Sequence, residues 1–136
     1  MSGKKIAVTP RSLSGAGHPA LELLSARGYE LVFPAPGRTP TEDELLAAVP
    51  GCVGWLAGVE PIGARVLAAA DGLRVISRNG TGVDSIDLEA AARHGIAIER
   101  AQGANARGVA ELAVTLMLAA FRHVPWSDRH LRSGDW

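Results

Sequence analysis

The sequence predicts an α/β domain: a doubly wound parallel sheet of five strands with helices on both faces, followed by a long apolar helix. Short apolar runs alternate with segments of helical pattern along residues 6–98. Proline and glycine punctuate most of the junctions between these segments. Strands that are separated by helices pair in parallel, because each helix returns the chain to the same edge of the sheet.

Three strands and two helices are predicted in the first half of the sequence. The strands cover residues 6–9, 30–33 and 53–56. The first helix extends from Pro19 towards Gly28, with proline near its start and glycine just past its end. The second helix begins after Thr41, which forms a capping-box pattern with Glu44 because each side chain can accept from the other residue's backbone N–H.

The second half of the sequence continues the alternation. A helical pattern extends from Pro61 towards Gly72, again with proline first and glycine last. Asp87 is positioned to cap a further helix that ends at His94. Two more strands are predicted at 73–76 and 96–98. This element order, in a chain of 136 residues, matches a flavodoxin-like domain.

The last predicted helix, from Asn105 to Arg122, differs from the others because it is apolar on every side. Between Leu112 and Phe121 the only polar side chain is that of Thr115. One face of a sheet can cover only half of such a helix. The pattern therefore predicts that a second domain or a partner chain covers the other half.

Composition excludes several classes of protein. Lysine plus arginine and aspartate plus glutamate balance at 14 each, so no strong field attracts nucleic acid or a membrane surface. The single cysteine, Cys52, cannot form an internal disulfide, and its apolar surroundings in the sequence predict a buried thiol. The sequence shows no signal peptide and no apolar stretch of the roughly 20 residues that span a bilayer. A cytoplasmic protein is the expectation.

One glycine-rich segment invites a functional interpretation. Residues 80–85 begin like the fingerprint of a dinucleotide-binding turn, but Ser85 replaces the glycine that lets helix and strand pack closely. A second match, at residues 15–20, starts too far beyond the first strand and contains a proline. Neither segment is predicted to bind a dinucleotide. Gly80 and Gly82 still allow a ligand to approach the backbone closely. Residues 80–85 are therefore either a site for a carboxylate or a tight turn without a binding role.

No catalytic or metal-binding set is predicted. The four histidines have no metal-ligand spacing with each other or with Cys52, and we interpret them as structural or solvated: His18, His94, His123 and His130. There is no nucleophile elbow of the G-x-S-x-G type. Asn105 either caps the long helix or faces a ligand, and Arg107 and Glu111 are spaced to form an ion pair.

Three strings in the second half of the sequence together resemble one family. They are residues 74–87 (RVISRNGTGVDSID), 91–96 (AARHGI) and 103–112 (GANARGVAEL). The family is that of the NAD-dependent D-2-hydroxyacid dehydrogenases, which includes the phosphoglycerate dehydrogenases. The resemblance covers the whole chain and is strongest from residue 73 to residue 136.

The resemblance implies the roles of individual residues. The backbone of Gly80, Thr81 and Gly82 matches the loop that holds the carboxylate of a 2-hydroxy or 2-keto acid. Asn105 matches a position near the substrate and the nicotinamide, and Ala106 matches a position near the cofactor, NAD. Residues 57–59 carry no basic side chain where members with phosphorylated substrates can have one, so an acid without a phosphate is expected.

The resemblance also implies a division of the chain. Residues 1–104 match a substrate-binding domain, and residues 105–136 match a crossover helix and a tail that lead towards a dinucleotide-binding domain. The family's catalytic arginine, acid and histidine, and its NAD loop, lie beyond the matched positions. We therefore expect a chain truncated before these parts and inactive alone.

Two functions remain open on the sequence. The first is the substrate-binding portion of a dehydrogenase, and the alternative is a stand-alone, non-catalytic ligand-binding or regulatory module of flavodoxin-like fold. A glycine-rich loop downstream of the matched residues would favour the first. In either case helix 105–122 is expected to bind a second copy, giving a homo-oligomer such as a dimer, or a separate nucleotide-binding domain.

Overall fold

The computed structural model describes residues 4–14 and 17–135. The chain divides into two compact units, Met1–Gln102 and Gly103–Trp136. The first unit contains the sheet, and the second contains two helices. The glycine match at residues 15–20 includes Gly15 and Ala16, and the predicted tail ends at Trp136; these three residues lie outside the described ranges.

The first unit is built on a parallel sheet of five strands. The strands are β1 Lys5–Val8, β2 Glu30–Val32, β3 Cys52–Ala57, β4 Val75–Arg78 and β5 Ala97–Arg100. Their spatial order is β2-β1-β3-β4-β5, and every neighbouring pair is parallel. This is the order of the flavodoxin-like folds, so the predicted fold class is confirmed. β2 lies on one side of β1, and β3, β4 and β5 follow on the other side, so the strand order reverses between β1 and β3.

Six α-helices lie within the described residues. They are α1 Pro19–Ala26, α2 Glu42–Ala48, α3 Ala64–Ala69, α4 Leu88–Arg93, α5 Ala106–Phe121 and α6 Val124–Ser133. The predicted capping box is confirmed, because Glu44 N–H donates to the Thr41 hydroxyl at 3.4 Å and Thr41 N–H donates to the Glu44 carboxylate at 2.9 Å. The predicted cap at Asp87 is also confirmed, since its carboxylate accepts from Ala90 N–H at 2.9 Å.

The fourth strand lies two residues later than the sequence prediction. The predicted strand was 73–76, and the observed one is Val75–Arg78. The N–H of Leu73 is used in a turn, where it donates to the carbonyl of Ala70 at 3.1 Å. The shift places Arg78 at the carboxyl end of the strand.

The helix predicted from Pro61 begins three residues later, at Ala64. Ile62 is extended instead and forms an isolated parallel bridge with Ile86. Its N–H donates to the carbonyl of Ser85 at 2.7 Å. The residue after the proline is thus held by a neighbouring segment and cannot join the helix.

Buried apolar side chains cover both faces of the sheet. The larger cluster joins Ala7 of β1, three residues of β3 including Trp55, and Ile76 of β4 to α2, α3 and α4. A smaller cluster on the other face joins Val8 to Leu21 of α1. Cys52 is fully buried in the larger cluster, as predicted, and this burial raises the pKa of its thiol.

The second unit exposes apolar side chains along α5. None of its residues is buried. More than half of the surface is exposed for Val109, Leu112, Val114, Leu116, Met117, Leu118 and Phe121. The predicted ion pair is confirmed, with Arg107 Nε donating to Glu111 Oε1 at 2.8 Å.

The predicted tail is a helix, α6, which follows α5 after His123. That residue has a left-handed backbone, with φ of 52°, and redirects the chain between the two helices. No single helix among the described residues is long and apolar enough to cross a membrane. Counted as a pair, α5 and α6 have the length and composition of a membrane-spanning segment, but the chain bends by 59° between them.

Candidate functional site

A cleft opens at the carboxyl ends of β1, β3 and β4. It is lined by residues 9–12, which follow β1, by residues 58–60, which follow β3, by residues 78 and 79 at the end of β4, and by Thr39. β1 and β3 are the neighbours between which the sheet reverses its direction of growth. In open α/β sheets ligands bind at this switch point, outside the carboxyl ends of the strands.

Thr9 follows β1, and its buried hydroxyl connects two loops of the cleft. The hydroxyl oxygen accepts hydrogen bonds from Trp55 Nε1–H at 3.0 Å and from Gly58 N–H at 3.1 Å. Its own hydrogen faces the Glu60 carboxyl and, at 3.2 Å, the Leu56 carbonyl. A hydroxyl has one donor and two acceptor positions, so the hydrogen-bonding capacity of Thr9 is fully used.

Glu60 is part of the cleft wall, although only 1% of its surface is exposed. Its Oε1 accepts from the Thr9 hydroxyl and from Gly58 N–H, the latter at 3.0 Å. A Cβ at position 58 would lie 2.7 Å from Glu60 Oε2 and 3.1 Å from the Cα of Pro10, so only glycine fits there. This buried carboxyl therefore joins the ends of β1 and β3.

Arg78, the last residue of β4, places its guanidinium over the glycine turn that follows. Nη1 donates to the carbonyl of Asn79 at 2.6 Å, and Nε is buried without a hydrogen-bond partner among the described residues. Gly80 has φ of 154°, and a Cβ there would lie 2.7 Å from Arg78 Nη1. The φ requires glycine, and the short distance shows that the guanidinium of Arg78 lies against the turn.

The amides predicted to hold a carboxylate belong to the same turn. Gly80 N–H donates to the Arg78 carbonyl at 2.8 Å, and the Gly80 carbonyl accepts from Ala101 N–H at 3.0 Å, so the turn is anchored on both sides. Among the described residues, no acceptor is found for the N–H groups of Thr81 and Gly82. Two amides without an acceptor, directly after a glycine that contacts a guanidinium, suit a bound carboxylate.

A second arginine reaches the cleft from another loop. Arg11 lies in a short 3-10 helix, Arg11–Leu13, and is exposed at the cleft. The expectation of a substrate without a phosphate rested on residues 57–59, which have no basic side chain. Arg11 follows β1 and Arg78 ends β4, and both line the cleft. Residues 57–59 alone therefore do not decide the charge of the cleft.

The two remaining predicted site residues lie in the second unit. Asn105 occupies the N-cap position of α5, but its side chain makes no capping hydrogen bond. The capping interpretation of Asn105 is therefore wrong. Ala106 is the first residue of α5, and its N–H donates to the carbonyl of Gly103 at 3.1 Å. The ligand-facing roles of both residues stay predictions.

The Gly80 turn does not fit the pyrophosphate group of NAD. Such a site needs a glycine turn that leads directly from a strand into the N-terminus of a helix. Here residues 79–87 separate β4 from α4, and α4 has only six residues. The Gly80 turn is too far from the start of α4 to place a phosphate there.

Sequence reasoning missed the residues that line this cleft, among them Thr9, Glu60 and Arg78. A signal for Thr9 and Glu60 existed, since both follow apolar strands whose carboxyl ends meet at one edge of a parallel sheet. Arg78 was missed because the fourth strand was placed two residues too early.

The fold and the cleft define a class: a doubly wound α/β domain with a ligand cleft at its switch point. The family model for the D-isomer specific 2-hydroxyacid dehydrogenase catalytic domain matches residues 12–129. The chain belongs to the D-isomer specific 2-hydroxyacid dehydrogenase family, as its sequence motifs indicated.

Individual relatives agree with this assignment. The D-3-phosphoglycerate dehydrogenase of Mycobacterium tuberculosis is 40% identical over 98 residues, which are 71% of this chain and 19% of that protein. The crystal structure of the TT0316 protein from Thermus thermophilus has a TM-score of 0.81 and 34% identity, covering 97% of this chain and 41% of that one. An NAD+-bound 3-phosphoglycerate dehydrogenase of Entamoeba histolytica has a TM-score of 0.71 and 25% identity, covering 89% and 40%.

The chain spans about a fifth of the length of the curated relatives that it matches. It spans about two fifths of the matched chains of known structure. The family match at residues 12–129 includes the Gly80 turn and the part of the cleft wall that follows Arg11.

Proposed function

We propose that these residues form the substrate-binding portion of an NAD-dependent D-2-hydroxyacid dehydrogenase, an enzyme that interconverts 2-hydroxy and 2-keto acids. One observation carries the proposal: the free amides of Thr81 and Gly82 lie in a turn against which Arg78 holds its guanidinium. The backbone of Gly80, Thr81 and Gly82 binds the carboxylate of the acid. Membership of the family supports this assignment.

The energetics of the turn favour an anion over a neutral ligand. A hydrogen bond to a charged group contributes roughly 1.5–3 kcal/mol, about twice the value for a neutral pair. Asn105 is assigned to the region of the reacting carbonyl, and Ala106 to the edge of the cofactor.

Hydride transfer is assigned to a nucleotide-binding domain that completes the site. The Gly80 turn does not fit the pyrophosphate of NAD, and NAD supplies the hydride chemistry when it is bound. That domain is either joined to this chain or separate. Helix 105–122 binds either that domain or a second copy of the chain, which gives a homo-oligomer. The 136 residues alone are expected to be inactive. A cytoplasmic location completes the proposal and agrees with the free thiol of Cys52.

Calorimetry and a turnover assay test the proposal directly. The purified chain is titrated separately with pyruvate and with NADH, and turnover is then measured with both present. We expect binding of the keto acid, little or no binding of NADH, and no turnover. Turnover by the chain alone would contradict the assignment of hydride transfer to another domain. Failure to bind any of a panel of 2-keto acids would contradict the proposal itself and favour the stand-alone module.

A further inference from the structure

The cleft beside the Gly80 turn has opposite charges at its two ends. At the end of β4, the guanidinium of Arg78 lies against Gly80. At the ends of β1 and β3, the carboxyl of Glu60 forms part of the wall. We propose that Glu60 determines which chemical group the bound acid can carry at the end remote from the acid's own carboxylate. At that end Glu60 accepts a hydrogen bond from a hydroxyl group and rejects a phosphate or a second carboxylate. This inference rests on the proposed function.

The hydrogen bonds of Glu60 leave one of its oxygens available. Thr9 Oγ1–H and Gly58 N–H both donate to Oε1. Oε2 accepts no hydrogen bond from the described residues, and it lies beside Gly58, within 2.7 Å of the position that a Cβ would take. A carboxylate oxygen with free lone pairs needs a donor. A ligand hydroxyl provides one, whereas an ionised phosphate oxygen provides only another acceptor.

The carboxyl is also fixed in place. Thr9 holds Oε1 and is itself held by the indole N–H of Trp55, which donates at 3.0 Å from a side chain that is 2% exposed. The backbone of Gly58 and Pro10 closes the other side, since a Cβ at Gly58 would meet both Glu60 and Pro10. A repelled carboxylate on the surface would rotate away, but this one cannot without breaking buried hydrogen bonds.

The arginines do not cancel this charge at the ligand. The guanidinium of Arg78 is directed to the glycine turn and the Asn79 carbonyl. Arg11 is exposed, so solvent and salt screen its charge. Neither arginine lies in an ion pair with Glu60 within the described ranges. The interaction of a ligand group with buried Glu60 is screened less by solvent and salt than its interaction with exposed Arg11.

A pair of ligands that differ only in the remote group tests the inference. D-glycerate carries a hydroxyl where D-3-phosphoglycerate carries a phosphate. The dissociation constants of both are measured by NMR titration of the wild-type chain, of Glu60→Gln and of Glu30→Gln. Glutamine keeps an acceptor for Thr9 and Gly58 and removes the charge. Glu30→Gln is the matched control, because it removes the same charge from an exposed residue at the amino end of β2.

We expect the wild-type chain and Glu30→Gln to bind D-glycerate at least tenfold more tightly than D-3-phosphoglycerate, and Glu60→Gln to lose most of that preference. Equal binding of the two acids by the wild-type chain, or tighter binding of the phosphorylated one, overturns the inference and leaves the proposed function standing. An unchanged preference in Glu60→Gln, or an equal loss in Glu30→Gln, also overturns it. If Glu60→Gln does not fold, the wild-type preference alone decides. Binding of neither acid overturns the proposed function and this inference with it.

Discussion

The indole N–H of Trp55 donates a 3.0 Å hydrogen bond to the hydroxyl of Thr9, and this bond connects the buried centre of the sheet to the cleft. Trp55 is 2% exposed and Thr9 is 4% exposed, so both partners of this hydrogen bond are buried. The same hydroxyl contacts Glu60. The cleft wall is therefore built on a buried polar network, in which the loss of one member leaves the others unsatisfied.

Thr9→Val should destabilise the first unit strongly. Valine matches threonine in shape but leaves the indole N–H of Trp55 and the carboxyl of Glu60 without this partner, at a cost of about 2–3 kcal/mol. Urea denaturation measures the change in the free energy of unfolding. Thr39→Val, at an exposed threonine of the same cleft, is the control and should be nearly neutral. Equal changes in the free energy of unfolding for the two substitutions would show that the buried network does not stabilise the first unit.

Gly82→Val should block carboxylate binding with little loss of stability. Gly82 is exposed, and its N–H has no acceptor among the described residues, so a side chain added there covers the amide. Its Cβ would lie 3.1 Å from Oδ2 of Asp84, an exposed side chain that can move aside. Calorimetry with pyruvate measures the effect on affinity. Gly63→Val adds the same side chain where nothing lies within 4 Å of the new Cβ, and it should bind pyruvate normally. Unchanged affinity in Gly82→Val would return the segment to the interpretation of a plain tight turn.

Arg78→Met should weaken binding of a 2-keto acid about tenfold or more, because one charge-assisted interaction with the carboxylate is lost. The matched control is Arg74→Met, which removes the same charge before β4, at the opposite end of that strand. Affinity is measured by titration at low and high salt. If both variants lose the same affinity, the effect belongs to net charge and not to a contact.

The pKa of Glu44 provides a prediction about pH. Arg38 donates to this carboxylate and Thr41 N–H donates at 2.9 Å, and these bonds lower its pKa to about 2. Because the folded-state pKa lies below the unfolded value, the stabilisation is complete above the unfolded pKa and is lost as pH falls through about 2. NMR titration of the Glu44 carboxyl should give that midpoint. In Arg38→Met the midpoint should move up towards the ordinary value, and no movement would rule out Arg38 as the principal cause.

The apolar surface of α5 should drive association. Val114 is 53% exposed and Leu118 is 60% exposed, and burying such side chains contributes roughly 1.5–3 kcal/mol each. Sedimentation of the purified chain should show self-association or poor solubility, relieved by Val114→Glu or Leu118→Lys. Leu23→Glu, at a residue of α1 that is 58% exposed, is the control and should leave association unchanged. A monomer at high concentration, unaffected by these charges, would contradict the prediction.

Periodicity and punctuation were sufficient to predict the sheet and the order of its elements. The capping residues Thr41 and Asp87 were also predictable, because a cap is a local interaction between residues a few positions apart. Helix α6 was missed, since its sequence is polar and interrupted by Pro125, which the first turn of a helix tolerates.

The cleft was less predictable than the fold. Thr9 and Glu60 are 51 positions apart, and only the crossover that places β3 beside β1 brings them together. The position of Arg78 depends on a strand boundary set by the turn at Leu73. The Gly80 turn was recognisable because its glycines and its place after a strand are local features.

The central claim is that the Gly80 turn binds the carboxylate of a 2-keto acid, and one NMR measurement tests it most directly. Amide resonances of the isotope-labelled chain are followed as pyruvate is added, with Gly82→Val as a parallel sample. The account predicts saturable shifts of the Thr81 and Gly82 amides, with smaller ones at Asn79 and Gly58, and their loss in the variant. Saturable binding that leaves the Thr81 and Gly82 amides unmoved, or no binding up to high concentrations of pyruvate, would contradict it.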